Sequence, residues 1–462
     1  MICKNLTAGV PAVKTIYTGE FMFSDNLKKL GFAFCVAAVS SCGIFQDSKD
    51  LPEGVRISIM QSKYSHDQAS NKEVADVPAM VFAENWSQSG GSPFHVVGNL
   101  MGNENAVKKW KANFGKGANK RNLLLAQPII LNDIVYVQDV EATVSAFNLQ
   151  DGKKVWEKEI TPHQKNIKDN GLNGVGLGAS EKEIFAVTGY GSVVAFDAKT
   201  GNKLWQENLN ALIRTSPNVC GEKLIIQTLD NQLFVLSTKD GSVIWKYNTS
   251  AEDTVLAGGA VPACSESLGL IIAGFSNGEV EAFNANIGYP LWSANLVNKT
   301  RGNSTTNINA VKASPVIDGQ TVYAIGHNDM LAAIDYRNSE MIWSQDIGGT
   351  NTPWIAGDYM YVLTNANELT CLKKEDGKVV FSTSLLEEYE LKERTEIYLS
   401  GPIMVNSKLL VTASNGIVYS ISPLNGKIEH RIDIKEKLPY APISAKETVI
   451  FTTNDASIIA YK

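Results

Sequence analysis

With 462 residues, 44% of them hydrophobic and 8% aromatic, the chain has the material for a sizeable core of ordinary globular composition. Its 42 basic and 48 acidic residues leave a net charge of −6, and no basic stripe is interleaved with aromatics, which excludes nucleic acid as an expected partner.

The first element is an address. Residues 28–42 read KKLGFAFCVAAVSSC. Two lysines precede an apolar run, Leu30 to Val39, that falls short of the ~20 residues a bilayer span needs. A basic flank, a short apolar run and small residues before a cut predict a secretory signal peptide over 1–41. Met22 opens an ordinary n-region, MFSDNLKKLGF, and is an alternative start. Val39, Ser40, Ser41 and Cys42 look like a bacterial lipobox, in which the Cys42 thiolate takes the lipid. Residues 42–84 are expected to form the lipid-attached tether. SKYSHDQASNKEVADVP (62–78) is polar and poor in aliphatics, and GVRISIM (54–60) is one short alternating run within the tether.

From 85 onward one pattern repeats. NWSQSGGSPFHVVGNL (85–100) leads into a strand ending at Trp110. Then come SAFNLQDGKKVW (145–156), VAFDAKTGNKLW (194–205), FVLSTKDGSVIW (234–245), EAFNANIGYPLW (281–292) and AAIDYRNSEMIW (332–343), with weaker copies TCLKKEDGKVVF (370–381) and YSISPLNGKIEH (419–430). Each copy is an alternating apolar run, a polar turn and a second run closing on a large residue. The unit ending at Trp245 holds four such β-runs, around 217–219, 224–228, 233–237 and 243–247, with Gly221-Glu222, Asp230-Asn231 and Asp240-Gly241 as turn formers. Four short antiparallel strands repeating at roughly 40–50 residues predict the blades of a β-propeller.

Counting half-motifs settles closure. The large residue recurs at Trp110, Trp156, Trp205, Trp245, Trp292, Trp343, Phe381 and His430. The strand at Trp110 lacks a partner before it, and SIIAYK (457–462) lacks one after it. Pairing these two predicts an all-β, eight-bladed propeller over 85–462, its ring closed by the N- and C-terminal strands and leaving no open edge. The seven large aromatics from Trp110 to Phe381 are expected to be structural wedges between blades.

Motifs for chemistry are sparse. The histidines His66, His95, His163, His327 and His430 show no metal-binding spacing, and no nucleophile elbow occurs. NGLNGVGLG (170–178) lacks the Gly-Lys-Ser/Thr ending of a phosphate loop. Cys3 and Cys35 fall in the signal segment. Cys220, Cys264 and Cys371 come one to a repeat and read as buried free thiols, giving neither a disulfide framework nor a zinc site.

The A-x-D/N-x-x-[TD]-G-K-x-x-W pattern resembles the repeat of PQQ-like propellers. Repeat, lipobox, tether and length together are similar to one branch of that family, the BamB lipoproteins of the β-barrel assembly machinery. The resemblance implies a non-enzymatic scaffold with no catalytic residue, metal or cofactor. It would sit at the periplasmic face of the outer membrane, since Gly43, not Asp, follows Cys42. Implied partners are the periplasmic domains of BamA, other subunits of the machinery and unfolded outer-membrane proteins. The resemblance places partner contacts in two loops after Trp strands, TSAEDTVLAGGAVP (249–262) and LVNKTRGNSTTNINAVKASP (296–315). Candidate contact residues are Thr254, Leu256 and Ala257 in the first and Arg301 and Lys312 in the second. Ala257 stands where the family's arginine would fall, and Ala310 and Lys312 stand where acidic residues are usual. Arg301 and Lys312 could thus give this surface a positive face toward an acidic partner. The alternatives are a quinone-dependent oxidoreductase and a propeller lipoprotein associated with polysaccharide or peptidoglycan.

Overall fold

The polar turns set the architecture. In VAFDAKTGNKLW, Asp197 accepts hydrogen bonds from the Thr200 amide at 2.8 Å and its hydroxyl at 2.6 Å, and Gly201 takes φ +69°. The flanking runs must therefore fold back as antiparallel neighbours. Asp240 with Ser242, Asp376 with Lys378 and Asn148 with Gln150 repeat the device. The structure, a computed structural model, describes residues 75–103, 105–120, 122–160, 174–250, 258–297, 309–328 and 330–462. The chain divides into Met1–Ile59 and Met60–Lys462, and every described residue belongs to the second unit. Cys42 and the 54–60 run lie outside the described residues.

The described residues form eight four-stranded antiparallel sheets. Blades 1 to 7 span 129–159, 174–208, 218–248, 263–295, 316–345, 354–384 and 399–433. Blade 8 is built from both ends of the chain: three strands between 443 and 461, then Lys108–Asn113 paired beside the last, with Trp110 opposite Ala460. This is the split blade that the half-motifs predicted. In the unit ending at Trp245 the strands are Asn218–Cys220, Lys223–Gln227, Gln232–Ser237 and Val243–Asn248, close to expectation. First strands are short and buried and touch those of neighbouring blades, so they line the axis, whereas fourth strands are mostly exposed at the rim.

Neighbouring blades are joined by one recurring contact. The indole N–H of each Trp donates to a carbonyl in the last turn of the next blade. Trp110 reaches Leu149 at 3.0 Å, Trp156 reaches Ala198 at 2.9 Å, Trp205 reaches Thr238 at 2.8 Å and Trp245 reaches Ala285 at 3.0 Å. Trp292 and Trp343 do the same to Tyr336 and Lys374, at 2.6 and 2.8 Å. The ring also lies flat on the glycine of that turn. A Cβ at Gly152, Gly201 or Gly377 would fall 2.6 Å from the ring of Trp110, Trp156 or Trp343. The turn glycine is thus required twice, for its positive φ and for the space its missing side chain leaves. In blade 5 the position is Ser339, at φ +62°.

His430 stands where an eighth large apolar residue would be, and it is exposed. The split blade explains why. Between Tyr461 and Lys108 there is no hairpin turn, since these strands belong to opposite ends of the chain. A tryptophan at 430 would have no glycine turn to cover.

The lead-in segment has a role that periodicity could not reveal, because it makes one circuit of the ring. Ala83 O accepts from Lys446 N of blade 8, and Trp86 exchanges both backbone bonds with Ile130 of blade 1, each at 2.8 Å. Ser87 O accepts from Ala179 N of blade 2, and Gln88 Oε1 accepts from Val219 N of blade 3 at 2.7 Å. Pro93 O and Phe94 O accept from Cys264 N of blade 4 and Ile317 N of blade 5. Gly98 O accepts from the Trp354 indole of blade 6, Leu100 bonds Met404 and Asn406 of blade 7, and Gly102 bridges Glu447 back in blade 8. Trp86 and Leu100 are 3% and 1% exposed, so the segment is a plug with its own apolar anchors. Ala75, at the end of the expected tether, donates its N–H to Leu424 O.

The plug carries a pH response. Burial holds the His95 imidazole at about 4, against an ordinary 6.5, while its Nδ1 lies 2.7 Å from the Pro315 carbonyl oxygen. Between those values the unfolded chain binds a proton that the folded chain refuses. Stability is therefore full above about pH 6.5 and declines as pH falls toward 4, by up to ~3 kcal/mol. His95→Asn tolerates the φ of +63° and keeps a donor for Pro315. It is expected to remove that share of the slope, read from urea unfolding at about pH 7 and about pH 4.5.

One expectation is corrected. Cys220 and Cys264 form a disulfide, with Cα atoms 6.2 Å apart at a sequence separation of 44, and are not free thiols. Both sit on first strands, in blades 3 and 4. A separation of about one repeat, taken as scatter in the sequence, is what brings residues of adjacent first strands side by side near the axis. Cys371 is free and buried.

Candidate functional site: the loop face

Antiparallel blades have two unlike faces. The turns between first and second strands and between third and fourth strands lie on one. The second-to-third turns and the connections between blades lie on the other. The plug occupies the first face: Asn85 Oδ1 accepts from Asn132 N, and Pro78, Leu100 and Ala83 meet Gly357, Asn406 and Lys446, all in first-to-second turns. Both expected contact loops, 249–262 and 296–315, are blade connections and so belong to the opposite face. Thr254, Leu256, Ala257 and Arg301 lie outside the described residues. Lys312 is described, and Ala310 beside it is buried.

Lys312 is where the two loops meet. Its Cε runs 3.6 Å from the point a Cβ on Gly258 would occupy. Val261 N donates to Ser314 Oγ at 3.1 Å and fastens the loop bases together, while Val311 N donates to Phe275 O at 3.0 Å. Between them opens a cavity of about 40 Å³ lined by Arg214, Gln227, Asn231, Gly258, Val311 and Lys312, among others. Lys312 is half-buried, and desolvation lowers its amine from the usual lysine value. His327, from the second-to-third turn of blade 5, is lowered by burial and by the charge of Lys312. Arg214, from the connection between blades 2 and 3, has a buried Nε with no hydrogen-bond partner, and so does Nδ1 of His327. Sequence reading missed both residues: neither belongs to a repeat motif, and 214, 312 and 327 meet only once the ring is closed.

The repeat resembles that of quinone enzymes, which hold an organic cofactor and a cation. The loop-face cavity, at about 40 Å³, is far below the 300 Å³ or more that an organic cofactor occupies, and the larger hollows, about 660 Å³ beside Glu387 and Arg431 and about 400 Å³ beside Glu279 and Glu281, are open clefts between strands at the rim. Asp197, Asp240 and Asp376 are engaged in turns at the rim. Among the described residues no group of three or more His, Cys, Asp or Glu side chains converges on a metal-sized space. These residues do not fit a quinone with its cation.

Eight blades, with a ring wedged on the next blade's turn at seven of the eight junctions, define a propeller of the PQQ-like repeat class. The chain belongs to the family of the outer membrane protein assembly factor BamB, whose sequence profile matches residues 140–383, more than half of its length. BamB of Yersinia pestis is 24% identical over 360 residues, covering 77% of this chain and 88% of that protein. The crystal structure of BamB from Moraxella catarrhalis superposes with a TM-score of 0.64 at 18% identity, covering 77% of this chain and 99% of that one. Quinohemoprotein alcohol dehydrogenase from Comamonas testosteroni gives a TM-score of 0.62 at 11% identity, covering 82% and 80%, so the fold is shared with redox enzymes.

Proposed function

We propose that the chain is a non-enzymatic scaffold lipoprotein of the outer-membrane β-barrel assembly machinery. In this reading residues 1–41 are a signal peptide and Cys42 carries the lipid. The tether runs from Cys42 to the point where the plug begins at Ala75, short of the boundary at 84 expected from the sequence, and the propeller hangs in the periplasm from the outer membrane. It binds the periplasmic domains of BamA through the loop face and assists the insertion of β-barrel proteins. The observation that carries the reading is the family match over 140–383. Two others support it. The plug covers the hairpin face and leaves the loop face to a partner. The Cys220–Cys264 disulfide suits an oxidising compartment such as the periplasm.

A leucine in a mostly small and polar loop is a candidate hot spot. Leu256→Arg is expected to weaken binding of purified BamA periplasmic domains at least tenfold while leaving the unfolding midpoint unchanged. Unchanged affinity in that variant would remove loop 249–262 from the interface.

A further inference from the structure

The loop-face cavity has a chemistry of its own. Among the described residues its lining includes two cations, Arg214 and Lys312, and no Asp or Glu, in a chain with a net charge of −6. Among the described residues neither cation has an ion-pair or hydrogen-bond partner: Arg214 Nε is buried and unpaired, and Lys312 is desolvated with no compensating charge. His327 adds a third basic group close enough for Lys312 to disfavour its protonation. Gln227 Oε1, the unpaired acceptor in the lining, is neutral and cannot offset two positive charges. Desolvated, unpaired cations are destabilising in a free protein, and an incoming anion relieves them.

We propose that this cavity is a carboxylate-binding site, filled when a protein partner on the loop face inserts an Asp or Glu side chain between Arg214 and Lys312. The inference rests on the reading that this face docks a partner, and it adds the chemistry of the partner's surface. A guanidinium and an ammonium from blade connections 2–3 and 4–5 suit the two oxygens of one carboxylate. The space of about 40 Å³ admits a side-chain carboxylate and not a bulky ligand. The inserted group would bridge connections 2–3 and 4–5, and so would sense the relative position of blades 2 to 5. Asp230, between the lining residues Leu229 and Asn231, is held by the Thr228 hydroxyl and the Gln232 side-chain amide. Glu252 and Asp253, in the loop that leads to Gly258, lie outside the described residues and are removed in one arm of the test.

The full chain is titrated with a hexaglutamate peptide, a hexaglutamine peptide, inorganic phosphate and the periplasmic domains of BamA. The expected result is that hexaglutamate binds and hexaglutamine does not. Lys312→Gln and Arg214→Gln each weaken hexaglutamate at least tenfold, and Lys312→Arg restores it. Unfolding midpoints should hold or rise in the Gln variants, because no ion pair is lost. BamA binding that weakens with the same two variants, and whose salt dependence flattens in them, supports the site as a docking point. BamA binding indifferent to both variants overturns the inference and leaves the partner reading standing. Hexaglutamate binding without BamA binding leaves the carboxylate site and sinks that partner. Phosphate binding tighter than hexaglutamate overturns a protein occupant. Hexaglutamate binding that emerges only after Glu252→Gln with Asp253→Asn assigns the cavity to an internal acid and overturns the proposal.

Discussion

Deleting residues 75–102 should loosen the entire ring, not one blade. The segment supplies backbone or side-chain partners to all eight blades in order, from Ile130 through Val219, Cys264 and Ile317 to Asn406 and Lys446. It also seats Trp86, 3% exposed and stacked on Trp354 at 6.4 Å between ring centroids. Burying side chains such as Trp86 and Leu100 is worth about 2–3 kcal/mol each. The orphaned amides of the first strands add about 1 kcal/mol each. Refunded chain entropy offsets part of this, and a net loss on the order of 5 kcal/mol is expected. Amide exchange should accelerate in the first strands of every blade. Trp86→Ala is the milder form, costing about 3–5 kcal/mol. Faster exchange confined to blades 8 and 1, which flank the start of the segment, would show that the plug is an appendage and not a keystone.

The second large effect concerns the turn under each tryptophan. Gly201→Val places a branched side chain at φ +69° and at 2.6 Å from the Trp156 ring. Left-handed strain of about 1–2 kcal/mol and overpacking of about 1–3 kcal/mol act together. A loss of about 3–4 kcal/mol is expected, with a blue-shifted or broadened Trp156 signal as the ring is pushed off its turn. Blade 5 supplies the reverse experiment. Ser339 holds φ +62° opposite Trp292, so Ser339→Gly should stabilise by about 1 kcal/mol. A destabilising Ser339→Gly would break the claim that glycine at this position is set by conformation and contact together.

The ring was legible because each blade ends in a large residue after a polar turn. The two unpaired half-motifs, at Trp110 and Ser457–Tyr461, could be added to make an eighth blade. The plug was not legible. It pairs through isolated bridges to first strands, one or two residues per blade, and so has no period of its own. The disulfide was hidden by the same repetition that gave the fold, since one cysteine per repeat looks scattered along the chain and adjacent around the ring. Of the proposed contact surface, the sequence indicated two loops and Lys312. Arg214 and His327 could not be found, because the cavity is assembled from three blade connections and two turns.

The reading of this chain as a scaffold turns on what it holds in the envelope. The direct measurement is isolation of the tagged, lipidated chain from detergent-solubilised envelopes, with mass spectrometry of what accompanies it. BamA is expected as a major companion in near-equal amount, reduced by Leu256→Arg. Absence of BamA at low salt, together with a red-shifted absorbance after addition of a quinone cofactor and calcium, would contradict it.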